Sequence, residues 1–258
     1  MKKYFLSFHT IFLMDENVQW LEEFLIYYLN LGFDHFYLYD NTGSIGRKVW
    51  YSSEKANPYI TKYGFPIVKQ DPEIWQNIYN KYKKYITYIK YRPTIGGCNI
   101  TKSKIGQIGY NQTQNINKFI KDYKHKTEWC FFGDLDEFIF SPTNSNFIDL
   151  IKRNSAAVLA LEQKIFSHRC LTTKKLITQE YNCVNNISTK SFGCVKNIKN
   201  IHNFVGKTKK IPIEQWRFNH YNFCPLMKRK LDEQNTIYEL GIDSSMNRYT
   251  DIFNQISK

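Results

Sequence analysis

No Cys-x-x-Cys pair occurs in this chain, although it holds 6 cysteines in 258 residues. Cys98, Cys130, Cys170, Cys183, Cys194 and Cys224 are too scattered for a structural zinc cage. A chain of this length needs no disulfides to close its core, so reduced thiols are expected. No apolar run approaches the length that spans a bilayer. The amino-terminal Met1-Lys2-Lys3 and the apolar stretch Tyr4 to Met14 resemble a signal peptide only on the surface. His9 interrupts the stretch, no small-residue cleavage site follows, and Asp15-Glu16 comes at once, so a first core strand is the reading. Glycine (12) and proline (7) are sparse and never gather into a linker, and no internal repeat is present. One domain over residues 1–258 follows. Acidic residues are also in deficit, 23 against 36 Lys and Arg, for a formal net charge of +13. That balance attracts polyanions. It is diffuse, with short clusters only at Lys207 to Lys210 and Lys228 to Lys230, and no nucleic-acid recognition module accompanies it.

Apolar residues at 42% and aromatics at 17% are ample for a folded core. Tyr4 to Leu13 reads as a buried strand. Asn17 to Leu31 reads as a helix, with Trp20, Phe24, Tyr27 and Leu31 at helical spacing and Gly32 ending it. His35 to Tyr39 is a second strand, stopped by the turn formers Asp40-Asn41-Thr42-Gly43-Ser44. Strand, helix, strand implies a right-handed parallel crossover, and ligands collect at the carboxyl ends of such strands, where Asp40 and Asn41 stand. Further on, Arg47 to Lys62 is poorly patterned and Phe65 to Lys69 reads as a short strand. Ile74 to Lys90 reads as a helix or long loop, Ile95 to Gly97 as a loop, and Gln107 to Tyr123 as a helix. Phe147 to Arg153 is then a short helix and Ala156 to Ile165 a strand.

Between these lies Trp129 to Phe140, an apolar run carrying Asp134, Asp136 and Glu137. Buried carboxylates without a partner cost several kcal/mol or take up a proton, so a cation is expected beside them. Strand alternation sends residues i and i+2 to one face. Asp134 and Asp136 can therefore converge on one hard cation while Leu135 points away. A metal bridging two phosphates is the obvious candidate. Metal-dependent phosphoryl transfer would also use paired acids, but it usually recruits further acids for a second metal, and none stands at a recognisable spacing. A basic nucleic-acid binder would leave the two aspartates repelling phosphate.

Several stretches in fixed order carry a resemblance. They are Trp20-Leu21-Glu22-Glu23-Phe24, Leu31-Gly32-Phe33-Asp34-His35-Phe36, Tyr39-Asp40-Asn41-Thr42-Gly43-Ser44, Asp134-Leu135-Asp136-Glu137-Phe138, Lys190-Ser191-Phe192, His202 and Asn219-His220-Tyr221. Together, from about residue 4 to residue 233, they resemble glycosyltransferase family 92, the glycosyltransferase-2-like proteins of the DUF23 kind. The family's opening Asn-Glu corresponds to Glu16-Asn17, and its tryptophan and glycine-serine segment is replaced around Gln163 to His168.

The resemblance implies a GT-A fold, a Rossmann-like α/β nucleotide-diphospho-sugar transferase with a mostly parallel central sheet. Residues 1–140 would form the nucleotide-sugar half, and residues 141–258 the acceptor side and carboxyl-terminal tail. Mn2+ or Mg2+ would sit on Asp136, with Asp134 on the metal or on the donor ribose, and His220 completing the metal shell or touching the diphosphate. Asp40 and Asn41 would meet the base or ribose, and Lys190 and His202 the phosphates. Lys228 and Arg229 are weaker candidates. The family's galactosyltransferases invert the anomeric centre, which calls for a carboxylate base, with Glu162 and Glu137 as candidates. The implied partners are a UDP-sugar donor and a glycan, glycolipid or glycoprotein acceptor, with no nucleic acid. A cytoplasmic chain, at most peripheral to a membrane, is expected.

Overall fold

The computed structural model describes residues 2–12, 14, 18–42, 72–91, 112–167, 176–179, 182–200, 203–222 and 241–255. Glu16-Asn17, Gly43-Ser44, Arg47 to Lys62, Phe65 to Lys69, Ile95 to Gly97, His202 and Lys228 to Lys230 lie outside those residues.

The amino half alternates as expected. Strand β1 (Tyr4–Phe12) leads through a 3-10 turn, Val18–Trp20, into α1 (Leu21–Asn30) and β2 (His35–Asp40). Gly32, at φ +96°, ends α1 in the left-handed conformation glycine tolerates, and the Phe33 N–H closes the turn on the Tyr28 carbonyl at 2.9 Å. Helix α2 (Pro72–Tyr82) runs through a 3-10 turn, Lys83–Tyr85, into β3 (Ile86–Lys90). The single helix or long loop expected over Ile74 to Lys90 is therefore a helix followed by a strand. Helix α3 (Gln112–Tyr123) and β4 (Thr127–Phe132) complete this half. Strands β3, β2, β1 and β4 lie side by side, all parallel.

Both faces of β1 are covered, as a parallel strand requires. Phe8 packs on Phe24, Tyr28 and Phe33 of the α1 side. His9, one residue on, turns to the other face among Tyr39, Phe132 and Phe119 of α3. Burial pushes its imidazole down to about 3, so the histidine that breaks the amino-terminal apolar run is a neutral core ring.

The carboxyl half adds β5 (Glu137–Phe140), α4 (Phe147–Arg153), β6 (Val158–Ser167) and β7 (Asn182–Cys194). A separate ribbon of β8 (Ile198–Asn200) and β9 (Asn203–Phe204) precedes β10 (Thr208–Ile211), β11 (Arg217–Asn222), β12 (Gly241–Ile242) and α5 (Thr250–Phe253). The sheet continues from β4 through β7, β6 and β11 to β5. Strands β10 and β11 follow one another along the same edge of β6, parallel to it, while β7, β12 and β5 run antiparallel to their neighbours. The result is a mixed α/β fold on one curled, mostly parallel sheet. The curl follows from chain length. A flat sheet would put β5 four steps of ~4.8 Å from β4, yet only the tight turn of Gly133–Asp136 joins them. The far edge must bend back over the end of β4.

Helix α1 occupies the curl, which is why Leu21 to Tyr28 are buried all round. Its two acids are paired inside. Glu22 takes Lys81 at 2.7 Å, and Glu23 accepts the Ile177 and Thr178 N–H groups at 2.8 and 3.1 Å. Its tyrosines grip the free edge of β5. The Tyr28 hydroxyl accepts the Ile139 N–H at 3.1 Å and donates to the Glu137 carbonyl at 2.8 Å, while the Tyr27 hydroxyl donates to the Ile139 carbonyl at 2.5 Å. An edge strand so bonded offers no template to another chain. Asp243 pins the last segment, accepting from Lys164 (2.6 Å), Arg217 (2.7 Å) and the Ser245 N–H (3.0 Å). No described helix is long and apolar enough to cross a membrane.

Candidate functional site

The acids do not lie on a strand. Gly133–Asp136 is a turn between β4 and β5, closed reciprocally by Glu137 N–H to the Asp134 carbonyl at 3.2 Å and Asp134 N–H to Glu137 Oε2 at 2.9 Å. Strand alternation is therefore the wrong reason for their arrangement, though Leu135 does turn into the core while both aspartates stay half-buried. Gly133 admits the turn because no side chain fits there: a Cβ would lie 2.7 Å from the Phe131 ring and 2.8 Å from Glu137 Oε2. Tyr221 N–H of β11 holds the Asp136 carbonyl at 2.7 Å.

The turn stands at the carboxyl edge of the four parallel strands, the edge at which β2 ends on Asp40. Both Asp40 oxygens are taken up within the chain, Oδ1 by the Thr42 N–H at 2.9 Å and Oδ2 by the Tyr88 hydroxyl at 2.8 Å. Asn41 is wholly buried, its N–H on the Phe12 carbonyl at 3.1 Å.

Around the acids, Glu137 is buried and ion-paired with Lys190 of β7, whose ammonium lies 5.2 Å from the Phe218 ring centre and 5.8 Å from that of Phe131. Strand β11 places His220 in register opposite Glu137. His220 Nε2 is 3.4 Å from Asp136 Oδ2, and its Nδ1 is hydrogen-bonded to the Gln163 side-chain amide. Burial, then the charge of Glu137, pushes the Asp134 carboxyl up to about 7, against the pull of Lys190. Burial alone would keep His220 neutral, but the Asp136 carboxylate outweighs it and the imidazole rises to about 8. Asp136 Oδ1 is buried with no hydrogen-bond partner.

These features suit a divalent cation. One buried carboxylate oxygen lacks a donor, and a second carboxyl resists ionisation for want of positive charge. Among the described residues no three His, Cys, Asp or Glu side chains form a metal cluster. An ion riding on a diphosphate takes only one or two carboxylates from the protein.

The base candidates part company. Glu162 alternates to the face of β6 opposite Gln163, in register with Arg217 and Thr189, and is ion-paired with Lys210 of β10. That sets it on the face of β6 away from the turn. Glu137 adjoins the aspartates but is committed to Lys190 and to the turn's own backbone. Gln163 and Tyr28 were not singled out in the sequence. Gln163 leaves one signal there, a polar residue in step with Leu159, Leu161 and Ile165 on the apolar face of β6.

The sequence matches no protein-family model and no curated protein. Among solved structures, the chain overlays residues 1–349 of S. aureus TarS at TM-score 0.46 and 11% identity, over 85% of this chain and 60% of that one. HddC from Yersinia pseudotuberculosis overlays at 0.40 and 9%, over 87% and 97%. TarS 1–349 in complex with UDP-GlcNAc overlays at 0.36 and 15%, over 70% and 39%. The chain thus spans 60% or less of the TarS structures it overlays.

Proposed function

We propose that this protein is a GT-A glycosyltransferase of a single domain, using a nucleotide-diphosphate sugar and a divalent metal. The observation that carries this is the unpartnered, buried Asp136 Oδ1 at the carboxyl edge of a parallel sheet, beside a second carboxyl that burial keeps near neutral pH. An anionic diphosphate alone would be repelled there; a diphosphate with its cation answers both anomalies. Asp136 would hold Mn2+ or Mg2+, and Asp134 the metal or the ribose. Bound there, the ion would neutralise charge on the departing diphosphate.

The chain's own groups set the stage. Glu137 and Lys190 act as a positioning pair: their ion pair, with the Asp134 N–H on Glu137, fixes the turn's shape. Asp40 and Asn41 shape the edge where the base and ribose would rest, already held by Thr42, Tyr88 and Phe12. Following the family resemblance, the donor is UDP-linked, the sugar galactose, and the acceptor a hydroxyl of a glycan, glycolipid or glycoprotein, attacked with inversion. The cell compartment is the cytoplasm, with at most peripheral membrane contact.

A panel of nucleotide sugars, each with Mn2+, is to be tested for thermal stabilisation of wild type and Asp136→Ala. A UDP-sugar should raise the wild-type Tm only when metal is present and leave the variant unmoved. If no sugar nucleotide stabilises wild type more than Asp136→Ala, the proposal fails.

A further inference from the structure

The acid turn is braced from behind by a relay through two strands. Gln163 of β6 lies in register beside Phe218 of β11, on the same face as His220, and its side-chain amide bonds His220 Nδ1. The opposite ring nitrogen, Nε2, is directed at Asp136 Oδ2. Asp136 Oδ1, the other oxygen of the same carboxylate, has no partner.

An imidazole has two nitrogens, and the bond made by one sets the state of the other. With the Gln163 N–H donated to Nδ1, the proton of a neutral ring must sit on Nε2, where it can only be donated. If the ring is an imidazolium, both nitrogens carry protons, and the Gln163 amide presents its oxygen to Nδ1. Because Nε2 faces a carboxylate oxygen of Asp136 that can only accept, it carries the proton in either state and keeps no lone pair for a metal. Resting on the donor-site reading above, we propose that Gln163 is a positioning residue. Through His220 it ties up one oxygen of Asp136 and so reserves the other for the divalent cation, with His220 behind the ligand rather than in the metal shell. The place of Gln163 supports this. Its neighbours on that face, Leu161 and Ile165, are buried and apolar, so a leucine would fill the position with no polar group to satisfy.

The test is Mn2+ binding to the full chain in the presence of UDP, followed by electron paramagnetic resonance. In wild type, pulsed spectra should show no directly coordinated imidazole nitrogen. Gln163→Leu should weaken Mn2+ affinity about 10- to 100-fold, as loss of a ligand's outer support does. Gln163→Glu, which can accept from Nδ1–H of the imidazolium while Nε2–H still faces Asp136, should restore most of it below pH 8. Without metal, nitrogen NMR of the ring should show the proton on Nε2 in wild type above pH 8 and a mixture of tautomers in Gln163→Leu. A purely structural glutamine would lower Tm without altering tautomer or affinity. Imidazole nitrogen coupled to Mn2+ in wild type, or unchanged affinity in folded Gln163→Leu, overturns the positioning role and leaves the donor site standing. No Mn2+ binding by wild type with UDP overturns both.

Discussion

Tyr28→Phe isolates the device that holds β5 against α1. The substitution keeps the ring, which packs on Phe8, Phe24 and Phe33, and removes one oxygen. That oxygen serves two main-chain groups, the Ile139 N–H at 3.1 Å and the Glu137 carbonyl at 2.8 Å. Both residues are buried, so neither group gains water in exchange. At about 1–3 kcal/mol for each buried group left unsatisfied, and with some relaxation of the strand, a loss of about 2–4 kcal/mol is expected. Tyr27→Phe is the internal control. It removes the donor to the Ile139 carbonyl but leaves the Ile139 N–H and the Glu137 carbonyl on Tyr28, and should cost about half as much. Urea unfolding of the three proteins measures the difference directly, with unchanged slopes confirming that the native states are equally compact. Because Glu137 is one of the two residues that close the acid turn, Tyr28→Phe should also shrink the Tm gain from Mn2+ and a UDP-sugar. A Tyr28→Phe protein within about 0.5 kcal/mol of wild type, the range of an ordinary surface change, would refute the argument.

Three further outcomes are expected. Gly133→Ala forces a Cβ to within 2.8 Å of the Phe8 ring and of Glu137 Oε2, and should cost about 1–3 kcal/mol and abolish Mn2+-dependent stabilisation; a variant that keeps both would show that the turn has slack. Glu137→Gln strands the Lys190 ammonium, and Lys190→Met strands the carboxylate, so each should lose about 3–5 kcal/mol in chemical denaturation, whereas the double variant should recover a measurable part; strict additivity would deny the coupling. The Asp243 carboxyl, held below the usual range by Lys164, Ser245 and Arg217 against its partial burial, has the sign of an acid-labile clamp. Its stabilisation is fully present above the ordinary carboxylate value near 4 and is lost as pH falls below that, so Asp243→Asn should unfold more easily at pH 7 and show a flatter acid limb.

Much of the first half could be read from local pattern. β1, α1, Gly32 and β2 carry their signals within a few residues, and each stands where its periodicity put it. β3 escaped because it is an outer strand: only Ile86 is fully buried, so its alternation is faint beside the amphipathic helix that precedes it. The aspartates could be recognised as misplaced charges, but not as a turn. The turn depends on the space Phe8 leaves at Gly133 and on a backbone bond from β11, neither of which is local. Lys190 and His220 entered through family resemblance, and their partners Glu137 and Gln163 become visible only once β7, β6, β11 and β5 are in register. Glu162 shows the converse, a carboxylate next to Gln163 in the chain whose alternation turns it to the other face of β6, towards Lys210.

The curl that returns β5 to the end of β4 makes the acid turn a report on the state of the whole sheet. Its backbone is held by Tyr28 from early in the chain and by Tyr221 from late in it, and the glutamate that closes it is paired with a lysine from between. A nascent chain that has made β1 to β5 but not β11 has the acids without the geometry. If the site binds the proposed sugar nucleotide, binding should switch on only when the last strand docks, so that partly folded chains would not sequester it.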